Sequence, residues 1–371
     1  MNNYNNILNE VKNIHFIGIG GSGMCPMAEI LYNKGYNISG SDIYESDTIQ
    51  RLKNNYNMKI FMNHKKENIK NAQLVVYTAA VKDTNEELIA ARENNIPAVE
   101  RSVMLGLLTN QYKERIAVAG THGKTTTTAM ITQILIDANL DPSAVIGGKL
   151  PSINSNSRSG NSDIIVCEAC EYVDSFLELS PSISVITNID ADHLDYFGSL
   201  ENIKKSFSKF SKKTSKAIII NGDDKNTIDT INDIKDINIE KITFGLESSN
   251  DYYASNIKKL DRIKTSFTLN HKTENIATII LSVPGYHNIY NALAAAAVAH
   301  YLGVAPQTIS SSLEKFSGVH RRFEILGSPK GITIVDDFAH HPTELKAVLS
   351  AAMKMGFNRV WAVFQPHTYS R

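Results

Sequence analysis

Apolar positions along the first 100 residues follow two spacings that alternate. Short apolar runs at 12–20 and 36–42 flank a stretch in which Met27, Ile30 and Leu31 recur at the interval of one helix face. Such runs predict strands, and the wider interval predicts a helix between them. The run at 73–80 and the helix-then-strand pattern at 82–100 repeat the order. This alternation is typical of a parallel, doubly wound α/β sheet.

A second group of elements begins after the segment at 101–115, which we predict to be an inter-domain connection. Apolar strands are predicted at 115–120, 163–169, 183–190 and 216–224. Alternating apolar and polar residues at 251–273 indicate a small antiparallel addition, and an alanine-rich helix follows at 287–303. The second unit is therefore predicted to be another α/β unit with a mostly parallel sheet.

A third group of elements starts near residue 323. It consists of a predicted strand at 331–337, a helix from Pro342 and a strand at 359–365. A β-α-β unit of about 50 residues is too small to enclose a core of its own. We therefore expect three domains, with the third one incomplete, and place their boundaries at 1–107, 108–322 and 323–371.

Charge and composition exclude several classes of protein. The chain has 371 residues and carries 38 Lys plus Arg against 38 Asp plus Glu, so its formal net charge is zero. This balance gives no long-range attraction to nucleic acid or to an anionic membrane. The longest apolar run, 292–299, is well short of the roughly 20 residues of a membrane span. Three cysteines and the absence of a secretory signal pattern favour the cytoplasm.

The segment GIGGSG at 18–23 matches the spacing G-x-G-x-x-G and lies between a predicted strand and a predicted helix. Its backbone N–H groups and the helix dipole can bind a diphosphate. Asp42 ends the next predicted strand, where a dinucleotide fold places an acid for the ribose. The motif alone does not separate a dinucleotide from another nucleotide diphosphate, or from a tight turn without a ligand.

The segment GTHGKTTTT at 120–128 also follows an apolar strand and opens a helix. This arrangement places Lys124 and Thr125 where a nucleoside triphosphate and its Mg²⁺ would lie. The full phosphate-loop pattern requires glycine at position 118, which is Val118 here, so Gly120 is taken as the first glycine of a loop two residues shorter. The sequence predicts a nucleotide site at this turn.

Acidic and polar residues follow the next two predicted strands. Glu168 lies at the end of the first, and the polar group Asn188, Asp190, Asp192 and His193 follows the second. Side chains at neighbouring strand ends converge at one edge of a parallel sheet. Oxygen ligands with one imidazole suit a Mg²⁺ that is held partly by phosphate. We therefore predict a magnesium site beside the turn at 120–128.

Further polar residues cluster at element ends. His287, Asn288 and Asn291 begin the alanine-rich helix, where they either cap it or bind a nucleotide. Arg322 lies at the junction of the second and third units, where a guanidinium can clamp a phosphoryl group or form a surface salt bridge. The loop at 336–344 contains paired acids and paired histidines, a density that indicates a functional site.

The strings that carry these features resemble the Mur ligase family over essentially the whole chain. In order they are GIGGSGM, SGSD, GTHGKTTTT, EACEYVDSF, TNIDADHLDYF, GYHNIYNALAA, RRFE, DDFAHHPTE and FQPHTYSR. The resemblance implies a Rossmann-like UDP-sugar-binding domain at 1–107, a central P-loop-type ATP-binding domain at 108–322, and the start of a Rossmann-like, amino-acid-binding domain at 323–371.

The resemblance also implies a reaction in peptidoglycan synthesis, with ATP and Mg²⁺ as cofactors. ATP would phosphorylate the lactyl carboxylate of UDP-N-acetylmuramate, and the amine of L-alanine would attack the resulting acyl phosphate. The products would be UDP-N-acetylmuramoyl-L-alanine, ADP and phosphate. This order is chemically sound because a carboxylate is a poor electrophile until one oxygen becomes part of a leaving group.

Residue roles follow from the resemblance by position within these strings. The UDP-sugar site would contain Gly18, Gly20, Gly21, Gly23, Met24, Ser41 and Asp42. The ATP site would contain Gly120, Thr121, His122, Gly123, Lys124, Thr125, Thr126, His287, Asn288, Asn291, Arg322, Asp336 and Asp337. Mg²⁺ would be bound by Thr125, Glu168 and His193, and alanine would lie near His340 and Arg371. The catalytic residues would be Lys124, His193, Arg322 and His340.

Two other functions remain open at this point. The motif at 18–23 with Asp42 is compatible with a nicotinamide-dependent oxidoreductase, which leaves the motif at 120–128 unexplained. A non-catalytic nucleotide-binding module would keep both motifs and form no product. The sequence is compatible with a monomer or a homodimer.

Overall fold

Residues 6–234 and 239–365 are described by the computed structural model. The N-terminal part is a five-stranded, all-parallel sheet in the order β3-β2-β1-β4-β5. Its strands are β1 (Asn13–Ile17), β2 (Asn37–Ser41), β3 (Lys59–Phe61), β4 (Leu74–Tyr77) and β5 (Ala98–Glu100). The helices of this part are α1 (Ile7–Glu10), α2 (Cys25–Asn33), α3 (Asp47–Tyr56), α4 (Glu86–Glu93) and α5 (Arg101–Thr109), with a 3₁₀ turn at Lys66–Ile69. The predicted doubly wound α/β fold is confirmed.

Strand β1 shows why this sheet is covered on both faces. Side chains of successive strand residues point to opposite faces, and both Phe16 and Ile17 are completely buried. Helices therefore pack on each side, as parallel sheets require. Two of these helices have side-chain caps: the Ser46 hydroxyl accepts from the backbone N–H of Ile49 at the start of α3, and Asn85 caps α4.

The central part is a ten-stranded sheet in the order β15-β14-β13-β12-β11-β10-β6-β9-β7-β8. Its strands are β6 (Glu114–Ala119), β7 (Ser143–Leu150), β8 (Ser155–Arg158), β9 (Ile164–Glu168), β10 (Ile183–Ile186), β11 (Ala217–Asn221), β12 (Glu240–Gly245), β13 (Tyr252–Lys259), β14 (Thr265–His271) and β15 (Glu274–Leu281). From β13 to β7 in this order, every pair of neighbouring strands is parallel. The pairs β13-β14, β14-β15 and β7-β8 are antiparallel. The predicted antiparallel addition is confirmed as β13–β15.

The central part has six helices among the described residues, and two of them begin close to each other. They are α6 (Lys124–Asp137), α7 (Leu194–Phe197), α8 (Leu200–Ser211), α9 (Lys225–Asn232), α10 (His287–Tyr301) and α11 (Pro306–Lys315), with 3₁₀ turns at Pro151–Ile153 and Tyr172–Glu178. The alanine-rich α10 packs on α6 and is buried from Ala292 to Ala299. Small side chains let two helices approach closely, so the polar N-terminus of α10 lies next to the turn before α6.

Most of the segment 101–115, predicted to be an inter-domain connection, is helix α5, and its role as a connection stays a prediction. Its residues from Met104 to Thr109 are buried. A Cβ at Gly106 would lie 2.4 Å from the carbonyl oxygen of Glu178, in the segment that follows β9. Helix α5 therefore packs directly between the first sheet and the central part. The expected domain boundary at 107/108 falls inside α5, and all the boundaries stay predictions.

The last part consists of β16 (Glu324–Gly327), a 3₁₀ turn at Pro329–Gly331, β17 (Ile334–Asp336) and α12 (Pro342–Lys354). The strand predicted at 359–365 is wrong, since these residues form no strand, and Trp361 and Val363 are 80% and 99% exposed. A strand is stable only where a neighbour satisfies its backbone groups. Within the described residues, β17 pairs with β16 and not with this segment. None of the described helices is long and apolar enough to cross a membrane.

The contact of α5 with the central part gives a stability prediction. Gly106→Ala should destabilise the chain by about 1–3 kcal/mol, because the added methyl overpacks the helix against the Glu178 backbone. Urea unfolding measures the effect. Ser102→Ala on the same helix, at a half-buried position, is the control and should change stability by less than about 0.5 kcal/mol. Equal stability of the two variants would contradict the close contact.

Candidate active site

A cleft of about 600 Å³ lies where the central sheet, α6, α10 and the last part of the chain meet. It brings together most of the residues that the sequence analysis assigned to ATP and Mg²⁺. Those that line it are Thr121, His122, Gly123, Lys124, Thr125, Thr126, Glu168, His193, His287, Asn288, Asn291, Arg322 and Asp337. His340, which was assigned to the alanine site, lines the same cleft. Gly120 and Asp336 are not among its lining residues. Arg371 lies outside the described residues.

The turn between β6 and α6 needs glycine at two positions. Gly120 and Gly123 have φ angles of +136° and +85°, a region that side chains with a Cβ rarely adopt. A Cβ at Gly120 would be 2.0 Å from the Thr187 hydroxyl, and one at Gly123 would be 2.5 Å from Asn291 Oδ1. Because these two glycines have no Cβ, the residue after β10 and the first turn of α10 can both pack against the turn.

Hydrogen bonds from the end of β10 fix the path of this turn. The backbone N–H of His122 donates to Asn188 Oδ1 at 2.9 Å. The carbonyl of His122 accepts from the Thr187 hydroxyl at 2.5 Å and from Asn188 Nδ2 at 2.9 Å. Asn188, predicted only as part of a polar group after this strand, thus shapes the backbone of the phosphate-type turn.

The Lys124 ammonium lies inside the site and is fully engaged. Its Nζ donates to the carbonyls of Gly120 at 2.6 Å and Thr121 at 3.1 Å, and contacts both carboxylate oxygens of Glu171 at 2.9 and 3.1 Å. Burial alone would lower the pKa of Lys124, but Glu171, with smaller contributions from Cys170 and Glu168, holds this pKa above its usual value. Glu171 was missed from the sequence; the signal was a second acid three residues after Glu168.

Two of the predicted metal ligands are in direct contact. The Thr125 hydroxyl donates to Glu168 Oε2 at 2.9 Å, and the same oxygen accepts from the backbone N–H of Gly147 at 2.9 Å. A Cβ at Gly147 would lie 2.2 Å from that oxygen, so only a glycine leaves room for the carboxylate here. A hydroxyl and a carboxylate beside a phosphate-type turn are the hard oxygen donors that Mg²⁺ prefers.

His193 reaches the cleft from the loop after β10. Its backbone has a left-handed φ of +52°, which is uncommon for a residue with a side chain. The imidazole lies against the Tyr172 ring, with 4.5 Å between ring centroids, and its Nε2 is 3.8 Å from Asp192 Oδ2. With this strained backbone conformation, His193 lines the cleft.

The polar residues at the start of α10 link this helix to α6. Asn291 Oδ1 accepts from the Thr127 hydroxyl at 3.2 Å, and Asn291 Nδ2 donates to Asn288 Oδ1 at 3.0 Å. Asn288 Nδ2 in turn donates to the Pro284 carbonyl at 2.7 Å. Burial lowers the pKa of His287. Both asparagines therefore hold the helices together, and their contact with a nucleotide stays a prediction.

The last part of the chain closes the cleft through the first turn of α12. Glu344 Oε1 lies 3.3 Å from His122 Nδ1, the Thr343 hydroxyl donates to Asp190 Oδ2 at 3.1 Å, and His341 Nε2 contacts the Ala191 carbonyl at 3.3 Å. Burial alone would raise the pKa of the Glu344 carboxyl, but His122 and the nearby Arg322 lower it to about 2. Glu344 was not singled out from the sequence.

The same junction brings possible metal-ligand atoms together. One atom each of His122, Asp190 and His341 lies within 4.8 Å of the others. Both ring nitrogens of His341 already have partners, since Nδ1 accepts from the backbone N–H of Thr343 at 3.3 Å and Nε2 faces Ala191. This cluster therefore acts as a contact between α12 and the turn before α6.

The paired acids of the loop after β17 have different surroundings. Asp337 accepts from the backbone N–H groups of Phe323 at 2.7 Å and Ala339 at 2.6 Å, and burial raises its pKa. Asp336 is half-buried and lies 3.9 Å from the Arg321 guanidinium. Asp337 thus holds the loop in shape, and ribose binding by either acid stays a prediction.

The glycine motif at 18–23 lies at the carboxyl end of β1 and contributes no residue to this cleft. The backbone N–H of Gly20 donates to Asp42 Oδ2 at 2.9 Å, and Gly18 has a left-handed φ of +79°. Ser41 donates its hydroxyl to the buried Glu87 at 2.6 Å, and Met24 is completely buried. The turn has the form of a phosphate-binding turn, and the UDP-sugar contacts assigned to its residues stay predictions.

Comparison with known proteins identifies the family. A UDP-N-acetylmuramate--L-alanine ligase of Alkaliphilus metalliredigens is 45% identical over 364 residues, 98% of this chain and 78% of the relative. One of Clostridium tetani is 47% identical and covers 98% and 79%. The family descriptions "Mur ligase family, catalytic domain", "Mur ligase middle domain" and "Mur ligase, glutamate ligase domain" match residues 13–113, 118–299 and 321–370. The chain belongs to the Mur ligase family.

Solved structures agree with this assignment. The UDP-N-acetylmuramate-alanine ligase of Thermotoga maritima has a TM-score of 0.80 and 32% identity, and the match covers 92% of this Mur ligase chain and 78% of that chain. A murein peptide ligase of Psychrobacter arcticus has a TM-score of 0.77 and 28% identity, with 94% and 77% covered. The resemblance to Mur ligases and the fold that it implied are confirmed.

The junction between Glu344 and the turn before α6 gives a pH prediction. The pKa of the Glu344 carboxyl is about 2 in the folded chain, against an ordinary value of 4.5. Its ionised form therefore stabilises the fold fully above pH 4.5, and this stabilisation is lost as the pH falls towards 2. Glu344→Gln should therefore cost about 1–3 kcal/mol at pH 7 and progressively less below pH 4.5. Urea unfolding of both proteins across this range measures the difference. A difference independent of pH would contradict the ionic contact.

Proposed function

We propose that this Mur ligase joins L-alanine to the lactyl carboxylate of UDP-N-acetylmuramate at the expense of ATP. The products are UDP-N-acetylmuramoyl-L-alanine, ADP and phosphate, in peptidoglycan synthesis in the cytoplasm. The names of relatives at 45–47% identity support the substrates. The observation that carries the proposal is the cleft that Lys124, Thr125, Glu168 and Arg322 line together beside a phosphate-type turn.

The chemistry requires an activated carboxylate. A lactyl carboxylate oxygen bonds to the γ-phosphorus of ATP while the bond from that phosphorus to ADP breaks. The alanine nitrogen then attacks the carbonyl carbon of the acyl phosphate, loses a proton, and phosphate leaves. Lys124 and Arg322 are the cations in the cleft that can neutralise the transferring phosphoryl group.

The residues around Lys124 fit a magnesium ion. Thr125 and Glu168 supply adjacent oxygens, and His193 lines the same cleft. Mg²⁺ held by these residues would supply charge neutralisation to the phosphates. This chain holds the Glu168 carboxylate in position by two hydrogen bonds. One comes from the backbone N–H of Gly147 and the other from the Thr125 hydroxyl.

The remaining substrates are assigned to the two flanking parts of the chain. The turn at 18–23, with Ser41 and Asp42, is proposed to bind the UDP-sugar through backbone N–H groups. His340 is proposed to lie near the alanine; its Nδ1 contacts the Phe338 carbonyl at 3.0 Å. The family matches cover both glycine motifs with Mur ligase descriptions, so a nicotinamide-dependent oxidoreductase is not supported.

Turnover tests the proposal directly. The purified chain should release phosphate only when ATP, Mg²⁺, UDP-N-acetylmuramate and L-alanine are all present, as measured by a coupled phosphate assay. Omission of any one component is the control. A folded chain that binds both nucleotides and releases no phosphate would instead be the non-catalytic module.

Lys124 has a separate test. Lys124→Gln should lower kcat/KM at least 100-fold, because it removes a cation from the phosphoryl group. Circular dichroism checks that the variant is folded. Lys315→Gln changes an exposed lysine at the end of α11, outside the cleft, and should leave kcat/KM unchanged. Activity of folded Lys124→Gln within tenfold of the parent would exclude the proposed role.

A further inference from the structure

The N–H donors of the Lys124 ammonium all have partners within the chain. An ammonium has three N–H donors, and here they face two backbone carbonyls of the turn and both oxygens of Glu171. The side chains of Lys124 and Glu171 are only 14% and 3% exposed. This ion pair is therefore buried, and its strength is little reduced by solvent.

Glu171 is placed by a tight backbone turn after β9. Its carbonyl accepts from the backbone N–H of Asp174 at 3.0 Å. Val173 and Asp174 both have left-handed φ angles, +53° and +56°. This conformation is rare for a β-branched residue such as Val173. The chain thus accepts backbone strain next to the residue that neutralises Lys124.

We infer that Glu171 is a positioning residue that occupies Lys124 as an internal anion and is exchanged for the phosphates when a nucleoside triphosphate binds. The inference rests on the proposed nucleotide site. A phosphate oxygen at this position would use the Nζ donors that Glu171 occupies, so the two anions compete for Lys124. Glu171 therefore holds the Lys124 ammonium in one orientation, and it lowers the affinity of the site for phosphates.

This competition predicts an effect opposite to that of an ordinary structural residue. Glu171→Gln removes the competing charge, so affinity for the non-hydrolysable ATP analogue AMP-PNP with Mg²⁺ should rise about tenfold. If Glu171 served only to hold the lysine in place, the same change would weaken binding. Affinity for adenosine, which has no phosphate, should not change. Isothermal titration calorimetry measures both ligands.

A matched control and a milder variant complete the experiment. Glu178→Gln makes the same charge change in the same segment at an exposed position, and should leave the affinity for AMP-PNP unchanged. Glu171→Asp keeps the charge on a side chain one methylene shorter and should raise affinity about threefold. It supplies the test if Glu171→Gln does not fold.

The outcomes separate this inference from the proposed function. Equal or weaker binding of AMP-PNP by a folded Glu171 variant overturns the inference, whether or not the parent chain turns over. Tighter binding of AMP-PNP with unchanged binding of adenosine supports it, even if the parent releases no phosphate and the ligase proposal fails. A parent chain that binds no AMP-PNP overturns the inference together with the ATP site.

Discussion

The close approach of three chain segments at the turn before α6 is the constraint on which the site depends. The turn can meet the end of β10 and the start of α10 only because Gly120 and Gly123 have no Cβ. Hydrogen bonds from Thr187 and Asn188 then fix the backbone. Every other group in the cleft is placed relative to this turn.

Charge in the cleft is arranged as local pairs. Lys124 faces Glu171, and Glu344 faces His122 with Arg322 nearby. Each of these charges acts on a partner only a few ångströms away, within a chain whose formal net charge is zero. The pairs explain why charged side chains tolerate burial there: each has a partner.

The first part of the chain and the central sheet meet at a buried carboxylate. Glu29 of α2, only 3% exposed, pairs with Arg51 of α3 at 2.9 Å and accepts a hydrogen bond from Ser157 of β8. The neighbouring Asn156 donates to the Ser22 carbonyl within the glycine motif at 3.0 Å. An edge strand of the central sheet thus supports the turn at 18–23. The two phosphate-type turns are parts of one packed framework.

The sequence alone determined the features that depend on neighbouring residues. Apolar spacing predicted most strands and helices, and glycine spacing located both turns, because strand alternation and glycine backbone freedom are local properties. The order of the motifs also placed the chain among the Mur ligases. Lys124, Thr125 and Glu168 were found in this way, since each lies at a strand end or helix start that the pattern marks.

Only the tertiary structure decided what depends on residues far apart in the chain. Helix α5 is buried by contacts with β4, β5 and the 3₁₀ turn at Tyr172–Glu178, which the sequence pattern did not show. The segment 359–365 was predicted to be a strand, although no described strand pairs with it. The partners of Lys124 and His122 were not visible either. Glu171 lies 47 positions from Lys124 and Glu344 lies 222 from His122. Such ion pairs depend on how the chain folds back on itself, and spacing along the sequence carries no record of it.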